Sequence, residues 1–272
     1  MSAAPRLMCI LAHPDDESLG FGGTLARYSA EGVETYVITA TRGERGWFGP
    51  PHENPGLKAL GRIREGELAK AVEVLGVKEQ HFLDFVDGDL DHADPMVVIP
   101  QLVALLRRIR PEVVATFDPN GAYGHPDHIA ICQFSAAAIQ QAANPAYACR
   151  GLAPHSVSKF YFRTWTKDEH EGYIQALGDL RMTIDGTDRW ATSWQDWAIT
   201  TRVDTSAYWK TVLEAISCHQ SQLTEYQKLV DLPDEYHEIL WGCDGYYRVF
   251  STVNAGRRRE EDLFEGLRPA GG

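Results

Sequence analysis

The sequence predicts an α/β, Rossmann-like fold: a mostly parallel sheet with helices on both faces and a less regular C-terminal extension. Three observations carry this. Through the first 150 of 272 residues, short apolar runs alternate with stretches of helical periodicity, four times over. Two of the apolar runs lead directly into histidine-rich and acid-rich loops, AHPDDE at 12–17 and HPDH at 125–128. Beyond about residue 150 the alternation becomes irregular, with no linker rich in Gly, Ser or Pro and no internal repeat. The length suits one domain over 1–255, with a Rossmann-like core at 1–150, a packed extension at 151–255 and a flexible tail at 256–272.

The elements follow in order. Arg6 to Leu11 (RLMCIL) is a short apolar strand, and Thr24 to Ala30 continues a helix behind the first motif. Glu34 to Ala40 is the second strand. Leu57 to Leu75 carries Leu60, Ile63, Leu68, Ala71 and Val72 at helical spacing and stops at Gly76 as at a C-cap. Gln80 to Phe85 is the third strand, Pro95 to Ile109 a helix, Glu112 to Phe117 (EVVATF) the next strand, and Asp127 to Ala143 a helix. In the extension, Val157 to Phe162 reads as a strand and Ser206 to His219 as a helix. Trp190 and Trp194, four apart in a tryptophan-rich stretch with Trp197, read as core or interface.

Composition narrows the function. A net charge of −12 argues against a nucleic-acid partner, and the single basic run, Arg257 to Arg259, is answered at once by Glu260, Glu261 and Asp262. No apolar run approaches the roughly 20 residues of a membrane span, and the N-terminus has no signal-peptide pattern, so a cytoplasmic protein with no membrane insertion is expected. Five scattered cysteines without a C-x-x-C pair fit buried thiols in a reducing compartment. Homo-oligomers are common among soluble enzymes, so self-association is a further expectation.

Ligands of open parallel sheets bind outside the carboxyl ends of the strands, which places both motifs on one edge. Imidazole nitrogens with carboxylate oxygens and no thiolate suit a catalytic zinc, which takes three protein ligands and keeps one position open. His13, Asp16 and one of His125 and His128 supply such a set. Pro14 and Pro126 stiffen the loops. Asp15, beside a ligand but free of the metal, suits a general base. Taken alone, the acidic run would be a helix N-terminus, but its recurrence with histidine at an equivalent sheet position favours a metal site. GFGGTL at 20–25 departs from the dinucleotide-binding pattern, and Gly20, Gly22 and Gly23 are better explained by close packing of the helix on the sheet. Trp47 and Phe48, in the loop 41–56, offer an apolar face for a sugar ring.

AHPDDE with GHPDH, and more fully DPNGAYGHPDH with TRGERG at 41–46, resembles the PIG-L/LmbE family of zinc-dependent N-acetylglucosaminyl deacetylases, in particular its mycothiol-pathway branch of deacetylases and conjugate amidases. The resemblance implies that His13, Asp16 and His128 hold the metal and that Asp15 is the general base. It implies that His125 stabilises the oxyanion or protonates the leaving amine and that Tyr123 is a mobile tyrosine assisting at the same oxygen. It also implies that Arg64 contacts substrate and that Asp87 meets a sugar hydroxyl. His219, in CHQSQ, is similar to a recurrent family segment and is expected to orient a loop. The implied cofactor is Zn2+, with Fe2+ as a cellular alternative, and the implied partner is a small-molecule N-acylated amino sugar or glycoconjugate. A mycothiol-conjugate-type amidase and a non-catalytic metal- or sugar-binding protein of the same fold are the alternatives.

Overall fold

The computed structural model describes residues 4–149, 151–184, 186–253, 256 and 258–268. Its first half runs β1 (Arg6–Leu11), α1 (Asp16–Ala30), β2 (Glu34–Thr41), α2 (Leu57–Val74), β3 (Glu79–Phe85), α3 (Pro95–Ile109), β4 (Val113–Thr116), a single turn α4 (Gly121–Gly124) and α5 (Pro126–Ala143). The second half adds β5 (Lys159–Thr164), α6 (Lys167–Leu177), β6 (Arg181–Ile184), β7 (Thr187–Trp190), β8 (Thr201–Asp204), α7 (Trp209–Cys218), α8 (Leu223–Val230), α9 (Asp234–Trp241) and β9 (Cys243–Ser251).

Seven strands form one sheet in the order β3-β2-β1-β4-β5-β9-β8. The first five run parallel, and β9 and β8 join antiparallel. Leu7 to Leu11 are fully buried, as a central strand covered on both faces requires. The chain leaves β1 in both directions across the sheet, so the crevice beyond the carboxyl ends of β1 and β4 is the topological switch point. Both motifs open there.

The expected elements are present with shifted ends. The first strand and the helix Pro95–Ile109 have the expected bounds, and Gly76 has the positive φ of 71° that ends α2. The helix α7 starts at Trp209, three residues late, because the Asp204 carboxylate accepts from the Ser206 amide and hydroxyl and holds a turn there.

Three readings of the extension need correction. Trp190 ends the strand β7 and is 51% exposed, while Trp194 is half-buried in a loop, so the two share no helix face and Trp190 is not core. Gly22 and Gly23 admit the extension rather than the sheet, and Gly20 admits neither: a Cβ on Gly23 would stand 2.7 Å from Thr205, one on Gly22 3.2 Å from Val212 of α7, and one on Gly20 would meet no atom within 4 Å. The segment from 256 is not a free tail at 260–268. Leu263 and Phe264 are fully buried, Phe264 lies edge-on to Tyr28, and Glu260 accepts from Lys159 Nζ at 2.8 Å and Tyr161 Oη at 2.7 Å. The flanking charges had hidden this short apolar anchor. Arg257 of the basic run and residues 269–272 lie outside the described residues.

Candidate active site

Asp15 and Asp16 begin the site because β1 ends at Leu11 and α1 must start within a few residues. Asp15 takes φ 107°, ψ −27°, a costly conformation for a residue with a Cβ. It does not cap the helix with its side chain. Its amide donates to Glu17 Oε2 at 2.9 Å, and its carbonyl accepts from Ser18 and Leu19. Glu17, fully buried, also pairs with His219 Nε2 at 2.8 Å and accepts from Ser18 Oγ. His219, expected to orient a loop, thus pairs with the acid whose other oxygen accepts from the Asp15 amide.

Asp16 turns its carboxylate back over the loop, where Oδ2 accepts from the Ala12 and His13 amides at 3.1 and 2.7 Å. From across the sheet, His128 Nε2 stands 3.3 Å from Asp16 Oδ1 and 3.2 Å from His13 Nδ1, and His13 Nδ1 lies 3.7 Å from Asp16 Oδ2. All three residues are buried. Burial opposes the charge on Asp16, yet His128, His13 and the backbone donor of His13 outweigh it and hold the carboxyl below its usual range.

The donor set fits a tetrahedral ion. Bonds of about 2.0 to 2.2 Å imply ligand atoms about 3.3 to 3.6 Å apart, close to the 3.2 and 3.3 Å from His128 Nε2 to His13 Nδ1 and Asp16 Oδ1, with the other Asp16 oxygen 3.7 Å from His13 Nδ1. The tautomers agree. His13 Nε2 faces Asp127 Oδ2 at 3.0 Å and Asp87 Oδ1 at 3.1 Å, so the proton sits on Nε2 and the lone pair of Nδ1 points at the cluster. Among the described residues His128 Nδ1 is buried without a partner, which leaves Nε2 as the ring's working nitrogen. An alternative grouping, His13 with His125 and Asp127, is less suited, because Asp127 already accepts from the Gly88 amide at 2.7 Å, the Leu90 amide at 3.1 Å and His13.

His125 caps α5, with Nδ1 accepting from the Asp127 amide at 3.1 Å. Its ring stacks 4.8 Å from His128, and burial followed by the neighbouring His13 and His128 lowers its pKa to about 3. A neutral imidazole with Nδ1 accepting carries its proton on Nε2. Tyr123 lies edge-on to His128 at 5.4 Å and to His125 at 6.0 Å, and burial keeps its hydroxyl protonated.

Asp15 is buried beside this cluster. Burial raises its pKa while Arg64 opposes the rise. Its Oδ2 accepts from Arg64 Nη2 at 2.9 Å and Tyr226 Oη at 2.8 Å, and among the described residues Oδ1 makes no hydrogen bond. Arg64, expected on the substrate, is instead 3% exposed and spends its remaining bonds on the Pro14 and Gly43 carbonyls. Asp87, expected at a sugar hydroxyl, is turned toward His13 and the Arg45 amide. Trp47 is half-buried and folds onto its own loop, Nε1 donating to the Pro50 carbonyl at 3.0 Å, while Phe48 is 46% exposed.

Four participants escaped sequence reasoning. Asp127 stood in plain view inside HPDH, and its place between two histidines was the available signal. Glu17 was read only as a helix-start acid. Asp118 stood at the head of DPNGAYGHPDH without its contact to Trp194, 76 residues away, being legible, and Tyr226 gave no signal, since Asp15 lies 211 residues away.

The model of the PIG-L family, GlcNAc-PI de-N-acetylase, matches residues 8–139. The chain is 34% identical over 293 residues to the 1D-myo-inositol 2-acetamido-2-deoxy-alpha-D-glucopyranoside deacetylase of Streptomyces avermitilis, covering 97% of this chain and 98% of that one. It is 30% identical over 292 residues to the mycothiol S-conjugate amidase of Streptomyces coelicolor, covering 97% of each. The N,N'-diacetylchitobiose deacetylase of Pyrococcus horikoshii shares the fold, with a TM-score of 0.68 at 22% identity over 90% of this chain and 84% of that one. The family model covers the stretch holding both motifs, and relatives 30% identical or more align almost end to end: the chain belongs to the PIG-L family of de-N-acetylases.

Proposed function

We propose that the chain hydrolyses the N-acetyl, or a related N-acyl, amide of an amino-sugar-containing small molecule, holding one divalent ion on His13, Asp16 and His128. One observation carries the reading: two imidazole nitrogens and a carboxylate lie 3.2 to 3.7 Å apart beside a buried Asp15 whose Oδ1, among the described residues, makes no hydrogen bond. The deacetylase relative directs the substrate toward N-acetylglucosaminyl inositol.

A bound zinc ion supplies Lewis acidity and brings the pKa of water toward about 7. The chain's own residues do the rest. Arg64 and Tyr226 pin Asp15 Oδ2, so Oδ1 faces the reacting water and accepts its proton. Neutral His125, protonated at Nε2, and the Tyr123 hydroxyl donate to the carbonyl oxygen as charge develops. Asp15, now carrying the proton taken from the water, returns it to the departing amine.

The amidase relative supports a second reading, cleavage of a mycothiol-type conjugate amide by the same residues. The test measures acetate and free-amine release from N-acetylglucosaminyl inositol, other N-acetylated amino sugars and a mycothiol-type conjugate. Metal-free protein is assayed with and without zinc or ferrous iron. Metal-dependent acetate release is expected, and Asp15→Ala should keep one metal per chain while losing about 10²- to 10⁴-fold in turnover. Cleavage of the conjugate alone would favour the amidase. Full turnover in Asp15→Ala, or a metal-loaded protein with no turnover across the panel, would overturn the catalytic reading.

A further inference from the structure

The turn that carries Tyr123 has a contorted backbone. Ala122 has φ 62°, ψ −77°, values near those of a strained γ-turn, and Gly121 and Gly124 on either side also have positive φ. A residue with a Cβ keeps such a conformation only where its surroundings over-determine it. Asp118, at the carboxyl end of β4, supplies one end of that constraint: its carbonyl accepts from the Gly121 amide at 2.9 Å and its Oδ1 from the Ala122 amide at 3.0 Å.

The remaining constraints come from the far half of the chain. Trp194 Nε1 donates to Asp118 Oδ2 at 2.7 Å, and Trp194 is itself held by the Trp165 carbonyl at 2.9 Å and by Tyr247, 5.1 Å away ring to ring. At the other end of the turn, Arg189 Nη1 donates to the Gly124 carbonyl at 3.1 Å. Its stem fills the space of a side chain at 124, where a Cβ would stand 2.4 Å from Arg189 Cβ. Both residues lie beyond the 8–139 stretch that the family model matches.

We infer that Trp194 and Arg189 are positioning residues for Tyr123: from the C-terminal half they hold both ends of a strained turn and so aim the tyrosine at the reacting oxygen. The role in turnover rests on the hydrolase reading above, whereas the effect on the turn does not. With either strut removed, the turn relaxes and the hydroxyl leaves its place. Tyr123 acts on charge that develops in the transition state, so kcat should fall while KM changes little.

Hydrogen exchange on the intact, metal-free chain tests the clamp without any substrate. Trp194→Phe keeps the ring and loses the donor, and Arg189→Met keeps the stem and loses the charge. Each should speed exchange of the Gly121 to Gly124 amides at least about tenfold, leaving the β1 and β4 amides unchanged. Unchanged exchange at 121–124 in both variants would overturn the inference. Turnover then tests the link to Tyr123. Trp194→Phe should lower kcat roughly tenfold at unchanged metal content and KM, and should add nothing in a Tyr123→Phe background. A full further loss in that background would show that Trp194 acts elsewhere and would overturn it too. If the wild type turns over no substrate, the hydrolase reading fails, and the exchange result alone decides the clamp.

Discussion

Asp127 makes the smallest change with a large expected effect. Its carboxylate keeps the proton of His13 on Nε2, and it is anchored by the Gly88 and Leu90 amides. Asp127→Asn should weaken metal binding about 10- to 100-fold, measured by competition with a chromophoric chelator, with a smaller loss of turnover once metal is saturating. Unaltered affinity would mean that Asp87, the other carboxylate on His13 Nε2, suffices. At this scale the sequence showed which residues gather, because histidine and aspartate two to four apart after an apolar run have few other uses. It did not show that Arg64 and Tyr226 both bond to Asp15 Oδ2. Those bonds join helices far apart along the chain, and neither side chain carries a local pattern that marks its partner.

Among the elements, α1 shows how a helix face encodes its neighbours. Gly22 and Gly23 let Val212 and Thr205 approach, whereas a Cβ on Gly20 would meet no atom within 4 Å. Gly23→Ala should therefore destabilise the fold by about 1–3 kcal/mol. Gly20→Ala should be neutral or stabilising by up to about 1 kcal/mol, since it gains helix propensity without a clash. Urea midpoints of the two variants, compared at equal slope, check the contrast. The five parallel strands and their helices were legible from period and turn residues, since each buries an apolar face set by its own local sequence. The closeness of α1 and α7 was not, because a glycine announces room without naming the element that fills it.

For the whole molecule, the last described segment closes the fold. Lys159 and Glu260 are both fully buried or nearly so and pair at 2.8 Å, and Leu263 and Phe264 enter the core beside Tyr28. Phe264→Ala should cost about 3–5 kcal/mol in a denaturation experiment. Removal of residues 260–272 should cost at least as much, because it also strands the Lys159 ammonium in the interior. A truncated chain with wild-type stability would refute this placement. No helix among the described residues is long and apolar enough to cross a membrane.

By itself the sequence determined the parallel α/β frame, the carboxyl edge where the two motifs meet and the histidine and aspartate cluster they build there. Each of these follows from local periodicity and from where a loop must leave its strand. Only the tertiary structure decided which atoms of that cluster face one another, what holds Asp15 in place and how residues 189, 194 and 260 to 264 lock the second half onto the first. Those decisions rest on pairings across tens to hundreds of residues, and a buried hydrogen bond or ion pair leaves no period in the sequence of either partner.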